Sequence, residues 1–270
     1  MKTIVVTGGS RGIGFGLARE FLARGHNVVL TGRTRQAAEQ SAASLAHAAT
    51  GGARALGAAC EVTDLAQVQA VWDRASSEFG AVDIWINNAG ISHPREPVGE
   101  LSPADITRVE ETNLLGMMYC CRVALTGMQR QGSGAIYNME GYGSNGMTMP
   151  GMSLYGASKF GLTYFTQCLI AETRGTPILV CYLSPGIVLT DLTLRDMAAR
   201  TPAEWERTRR IYNILGDKVE TVTPWLAERV LANRKSGARI AWLTPGKSMR
   251  RFLTARFNKR DVFPAQRPGG

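Results

Sequence analysis

From Thr7 the chain reads Thr7-Gly8-Gly9-Ser10-Arg11-Gly12-Ile13-Gly14. This glycine-rich turn lies between a β-branched run at 3–7 and a stretch where Ile13, Leu17, Phe21 and Leu22 recur at helical spacing. A strand that turns on glycines directly into a helix begins a βαβ unit. Glycine lets the backbone approach a pyrophosphate with no Cβ in the way. The helix start that follows offers unpaired N–H groups and the positive end of its dipole. Glycine turns also serve plain packing, but this one follows the first strand, where a dinucleotide-binding turn belongs.

Residues 28–31, 53–60, 84–86, 135–139, 178–183 and 239–243 read as further strands. Helical patterns lie between them. One is alanine-rich, at 35–49; another presents Leu65, Val68, Val71, Trp72, Ala75 and Phe79 on one face. Pro103 opens a long third helix as a first-turn proline, and a fourth runs over 155–173. Strands alternating with helices imply right-handed crossovers. The expected fold is therefore α/β, a single Rossmann-type doubly wound parallel sheet of about seven strands with helices on both faces. A chain of 270 residues, 44% of them hydrophobic, can fill the core of such a sheet. In this reading 1–245 is the dinucleotide-binding catalytic domain, with helices at 192–215 covering the substrate. Residues 246–270 form a basic amphipathic extension and a tail, mobile from Phe263.

Composition excludes several classes. No apolar run reaches the roughly 20 residues of a membrane-spanning helix. Met1-Lys2-Thr3 leads straight into Ile4-Val5-Val6, with no charged-then-apolar leader, so a cytoplasmic protein is expected. Cys60, Cys120, Cys121, Cys168 and Cys181 fall on strand and helix patterns at spacings that match no zinc motif. They read as reduced, small apolar residues. His26, His47 and His93 are scattered, so no metal site is expected. The net charge of +9 fits an acidic substrate, an anionic membrane or nucleic acid, or simply a basic surface around a polyphosphate pocket.

The choice of dinucleotide is written after the second strand. An NAD site usually places a carboxylate there for the ribose hydroxyls. This chain has Thr31-Gly32-Arg33-Thr34-Arg35. Arg11 from the glycine turn and Arg33 would instead favour a ribose 2′-phosphate, so the expected cofactor is NADPH/NADP. The alternative is that both are ordinary surface arginines.

Further motifs follow in order: Asn87-Asn88-Ala89-Gly90, Tyr155-Gly156-Ala157-Ser158-Lys159, and Pro185-Gly186 with Thr190. With the glycine turn they resemble the short-chain dehydrogenase/reductase superfamily over nearly the whole chain. The resemblance implies cofactor contacts from Thr7, Gly8, Ser10, Arg11, Gly12, Ile13, Gly14, Arg33, Asn88, Ala89, Gly90, Lys159, Pro185, Gly186, Val188 and Thr190. It also implies that Glu61 and Val62 flank the adenine, where the superfamily more often has Asp-Val. It implies a homo-oligomer as well.

Tyr155 and Lys159, four apart on a helix, share a face. An ammonium beside a phenol favours the phenolate and lowers its pKa, making a proton donor for a carbonyl oxygen as hydride reaches the carbon. The plain alternative is a chance helix pair. Asn113 interrupts a helix of Leu, Gly and Met, where asparagine is a poor helix former. By resemblance it supports a proton-relay water; otherwise it is a satisfied buried amide. The superfamily's catalytic serine is missing, for Gly141 stands where it is expected. Ser144, as first choice, or Tyr142 supplies the hydroxyl, or Tyr155 polarises the substrate alone.

That departure carries a narrower resemblance. Asn138-Met139-Glu140-Gly141-x-Gly143-Ser144, the stretch 184–192, Tyr212-Asn213-Ile214-Leu215 and Leu243-Thr244-Pro245 are similar to segments of chlorophyll(ide) b reductases. This implies reduction of a tetrapyrrole formyl group, or of another bulky hydrophobic aldehyde or ketone. Leu192, Leu194, Met197 and Trp205 stand among Arg195, Arg200, Arg207, Arg209 and Arg210. They make either an apolar floor with a basic rim or a lid with a solvated outer face. Met249, Phe252, Leu253 and Phe257 fall at helical spacing among Lys247, Arg250, Arg251, Arg256, Lys259 and Arg260. Such a helix either makes peripheral membrane contact through 247–260 or docks on the domain or a second subunit. No nucleic-acid motif is present, so no nucleic-acid partner is expected. A reading from another class is an NADP-binding sensor without turnover, favoured only by the missing serine.

Overall fold

β1 (Thr3–Val6) is buried at all four positions, which only a strand covered on both faces requires. Its side chains alternate: Ile4 and Val6 enter one core, and Val5 enters the other. The computed structural model describes residues 1–198 and 201–263. β1 is followed by β2 (Asn27–Gly32), β3 (Ala55–Ala59), β4 (Ile84–Asn87), β5 (Gly134–Met139), β6 (Ile178–Ser184), β7 (Val188–Leu189), β8 (Asp217–Lys218) and β9 (Arg239–Ala241). Seven of these form one sheet in the order β3-β2-β1-β4-β5-β6-β9, every pair parallel. This is the doubly wound sheet the alternation implies. The order reverses between β1 and β4, so the crevice at their carboxyl ends is where such a sheet takes a ligand.

The helices are α1 (Gly12–Leu22), α2 (Arg35–Ser44), α3 (Leu65–Phe79), α4 (Pro103–Glu110), α5 (Gly116–Gln131), α6 (Ser153–Glu172), α7 (Asp191–Ala198), α8 (Pro202–Leu215), α9 (Val219–Ala232) and α10 (Pro245–Thr254). Leu17 and Phe21 of α1 and Val222 and Leu226 of α9 fill one core with Ile4, Val6 and Leu30. The opposite core holds Trp72 of α3 and Met117, Cys120 and Cys121 of α5. There Trp72 stacks on Trp85 of β4 at 6.1 Å.

The expected helix at 35–49 is shorter, with a separate 3-10 turn at Ala46–Ala48. Cys60 lies just beyond β3 rather than in it. The long helix opened by Pro103 is α4 and α5 joined by a π-helical turn, Glu111–Leu115. The small parallel ladder of β7 with β8 is new.

A polar ladder crosses the second core. Trp85 Nε1 donates to Asn87 Oδ1 (2.8 Å), Asn87 Nδ2 to Asn138 Oδ1 (2.7 Å), and Asn138 Nδ2 to Thr166 Oγ1 (2.9 Å). Asn87 and Asn138 are register partners on β4 and β5, and Thr166 lies on α6. A one-residue slip would strand these buried amides without partners, so the ladder pins α6 to the sheet.

Candidate active site

The glycine turn and the loop after β4 interlock in the crevice. Thr7 Oγ1 accepts from the Asn88 and Ala89 amides (3.0 and 3.1 Å), and Asn88 Nδ2 donates to the Thr7 and Gly8 carbonyls (2.9 and 3.1 Å). Gly8 has φ 61, and a Cβ on it would lie 2.9 Å from Ala89 Cα. A Cβ on Gly14 would lie 2.5 Å from Asn88 Nδ2. Only glycine fits at either position. A Cβ on Gly12, at φ 57, would meet Thr190 Cγ2 at 3.4 Å, so the loop after β6 reaches the same crevice. Ser10 sits against Gly32, and Ile13 is half-buried in the first turn of α1. α1 begins at Arg11 with no side-chain cap, leaving its first amides for a ligand.

Arg11 and Arg33 are exposed, and neither hydrogen-bonds or ion-pairs among the described residues. These features fit a nicotinamide dinucleotide. Val62 is buried against Gly116, and Glu61, partly exposed, holds Gln67 through its amide. Pro185 is buried, Gly186 (φ 73) packs on Leu243, and Val188 is buried in β7.

α6 carries Tyr155, Ser158 and Lys159. The π turn swings Asn113, only 1% exposed, toward them. Asn113 Oδ1 accepts from the Ile91 amide (2.8 Å). Its Nδ2 donates to the Ile91 carbonyl (2.9 Å) and to Ser158 Oγ (3.1 Å). Both of its amide hydrogens and one of its two oxygen lone pairs are thus used, and Ser158 passes the contact on to the Tyr155 carbonyl (2.9 Å). A Cβ on Gly90 would meet Asn113 Oδ1 at 3.2 Å and Lys159 Nζ at 3.7 Å, so these three close one side of the site.

Lys159 Nζ donates to the Met139 carbonyl (3.1 Å) and lies 5.7 Å from the Tyr155 ring centre. Burial lowers the Lys159 ammonium to about 8, partly offset by the charge of Glu140. The expectation that Lys159 lowers the Tyr155 phenol is corrected here. Burial, with Tyr212 nearby, pushes that phenol up to about 12. Desolvation outweighs an ammonium turned toward Met139.

Ser144 Oγ accepts from the Gly141 amide (3.0 Å) and faces the Lys159 carbonyl (3.4 Å). It braces its own loop. A Cβ at Gly141 would stand 2.5 Å from Tyr155 Oη, so the tyrosine hydroxyl already occupies the space a serine there would need. Three further residues were not singled out as site members from sequence. Ser158, one turn from Tyr155, is one. Glu140 is another: it is buried and ion-paired to Arg239 at 3.1 Å, and its signal is a charge directly after an apolar strand. Tyr212 is the third, and its signal is its place in the Tyr212-Asn213-Ile214-Leu215 segment.

Tyr212 brings α8 within electrostatic reach of Tyr155, and α7 packs on α8. Thr201 and Glu204 close a capping box at the start of α8. Met197 is buried, Leu194 and Trp205 are half-buried, and Leu192 is exposed. Arg209 is engaged by Glu206, Asp261 and the Trp205 ring, leaving Arg207 and Arg210 exposed. Arg200, the Arg195 side chain and the tail beyond Phe263 lie outside the described residues. Phe263 itself stacks on Tyr212 (6.2 Å) and packs against Trp205 (5.5 Å).

Asp217, 2% exposed, ties this region to the C-terminal segment. It accepts from the Trp242 indole (2.6 Å) and ion-pairs with Arg251 (2.8 Å) and Arg260. Burial alone would raise its carboxyl, but these donors and charges hold it below the usual range.

A family model described as short chain dehydrogenase matches residues 2–200. The chain is 34% identical over 269 residues to a probable chlorophyll(ide) b reductase of Oryza sativa subsp. japonica, covering 94% of this chain and 52% of that protein. It is 35% identical over 240 residues to a chlorophyll(ide) b reductase of Arabidopsis thaliana, covering 87% and 67%. The chain therefore spans about half the length of the first relative. A short-chain type dehydrogenase/reductase from Mycobacterium marinum superposes with a TM-score of 0.76 at 27% identity, over 89% of this chain and 93% of that one. Both plant relatives are chloroplastic proteins, which overturns the cytoplasmic expectation. Among the described residues no helix is long and apolar enough to cross a membrane.

Proposed function

The chain belongs to the short-chain dehydrogenase/reductase family, and from that premise we propose that it is an NADPH-dependent reductase of a bulky hydrophobic carbonyl compound, specifically a chlorophyllide-b-type formyl group. The observation that carries this reading is the juxtaposition of Tyr155, Lys159 and Asn113 across Gly90 and under Gly141. When bound, the nicotinamide supplies the hydride. Tyr155 donates its proton to the carbonyl oxygen; with a pKa of about 12, the phenol is in its donor form at neutral pH. Lys159 is charged below about pH 8 and stabilises the phenolate that forms. Asn113 positions α6 through Ser158 and, by resemblance, holds the relay that returns the proton. Ser144 shapes the loop, and polarisation of the carbonyl rests on Tyr155. Arg11 and Arg33 receive the 2′-phosphate.

The test is NADPH oxidation by the purified protein with chlorophyllide b and a panel of simpler aldehydes and ketones, with NADH in parallel. Tyr155→Phe should abolish turnover and leave NADPH binding intact. If NADPH binds tightly but no carbonyl is reduced, the protein is an NADP-binding sensor and the reading fails.

A further inference from the structure

α10 is amphipathic, but it is turned the wrong way for a helix that only packs on its own domain. Its charged side faces in. Arg251 reaches the Asp217 carboxylate and the Leu215 carbonyl (2.9 Å), and Lys247 lies over the Trp242 ring. Its apolar side faces out. Met249, Phe252 and Leu253, with Phe257 just beyond, are 67%, 52%, 72% and 76% exposed. A helix serving the core does the reverse. Clusters of exposed large apolar residues mark an interaction face.

The charge around that face says what covers it. Between Pro245 and Arg260 there are six basic residues and no acidic one. Arg251 and Arg260 are spent on Asp217, while Arg250, Arg256 and Lys259 stay exposed beside the apolar side chains. A second copy docking through this helix would set like charges together, on a chain whose net charge is already +9. An anionic lipid surface accepts both features at once: the apolar side chains enter the acyl boundary while the cations meet the headgroups.

We propose that Pro245–Arg260 docks the protein on an anionic membrane surface. The clamp on Asp217 makes that docking directional. Arg260 also donates to the Ile214 and Gly216 carbonyls (3.2 and 3.0 Å), and Arg251 to that of Leu215, so the segment is fastened to the end of α8. Tyr212 of α8 is near enough to help raise the Tyr155 phenol. The helix that borders the site is thereby held at the lipid surface.

The test is co-sedimentation of the full chain with vesicles of phosphatidylcholine alone and of phosphatidylcholine with phosphatidylglycerol. The expected result is binding to the anionic vesicles only, released by salt. Binding should weaken at least roughly tenfold in Met249→Ser/Leu253→Ser/Phe257→Ser and in Arg250→Glu/Arg256→Glu/Lys259→Glu, with circular dichroism unchanged. Equal binding to both vesicle types, or none, overturns the proposal. So does a concentration-dependent dimer that the serine variant dissolves, which would identify a second copy as the occupant. None of these readouts depends on turnover.

Discussion

Gly141→Ser restores the residue found at this position in the wider family, and the structure says it should damage the enzyme. The added Cβ would lie 2.5 Å from Tyr155 Oη and 3.1 Å from ring atoms Cε1 and Cζ. Side-chain carbons essentially never sit within 3.0 Å of a neighbour, so the hydroxyl must retreat by at least about 0.5 Å. The atom displaced is the tip of a side chain rather than backbone, so the fold yields at about 1 kcal/mol or less, a Tm change of a few degrees. Catalysis is less forgiving, because misplacement on the order of 1 Å costs up to about a hundredfold. The expected outcome is kcat down by roughly ten- to a hundredfold, with the Kd for NADPH and the Tm nearly unchanged. Gly141→Ala carries the same Cβ and should behave alike. Stopped-flow NADPH oxidation, fluorescence titration of NADPH and thermal melts separate the three quantities. Turnover equal to or above the parent in Gly141→Ser would refute the claim that Tyr155 has taken the serine's space.

Arg11→Ala and Arg33→Ala should each weaken NADPH binding by roughly ten- to a hundredfold and leave NADH binding unchanged, as isothermal titration would read; equal losses for both cofactors would remove the 2′-phosphate assignment. Asp217→Ala leaves Arg251, Arg260 and the Trp242 indole without their acceptor and should cost about 3–5 kcal/mol in urea unfolding. Because the folded Asp217 carboxyl is held below its ordinary value, its stabilisation is present at neutral pH and is lost only as pH falls below about 4, a limb that Asp217→Asn should flatten. Reduction should fall above about pH 8 as Lys159 loses its proton. Stability should move the opposite way relative to Lys159→Met, rising between about pH 8 and 10, because the folded lysine releases its proton more readily than the unfolded one.

Features set by local chemistry were legible before any coordinates. The period of the apolar residues marked β1 to β6, and the glycine turn and Tyr155/Lys159 spacing located both halves of the crevice. Asn113 was visible as an awkward residue in a helix, and the π turn is the backbone's answer to it. What stayed hidden depends on contacts distant in the chain. β7 and β8 are too short for any period to show and exist only because Val188 meets Asp217. Asp217 looks like an ordinary surface acid until Trp242, Arg251 and Arg260 arrive. The pattern of α10 was clear, but which side it turns outward is decided by Asp217 and not by the pattern. The sense of the Tyr155 shift was missed because spacing says nothing of desolvation.

The Asn87–Asn138–Thr166 ladder has a consequence for how such a protein changes. It locates the tyrosine–lysine helix from inside the sheet, through side chains of β4, β5 and α6. The loop after β5 is not free to vary in the same way, because Gly141 and Gly143 close on Tyr155 and Gly156. α7 and α8 are the interchangeable parts: they can be lengthened, shortened or grafted to accept a different molecule while the tyrosine–lysine helix keeps its place, and exchange of these helices between relatives should transfer substrate preference without rebuilding the chemistry.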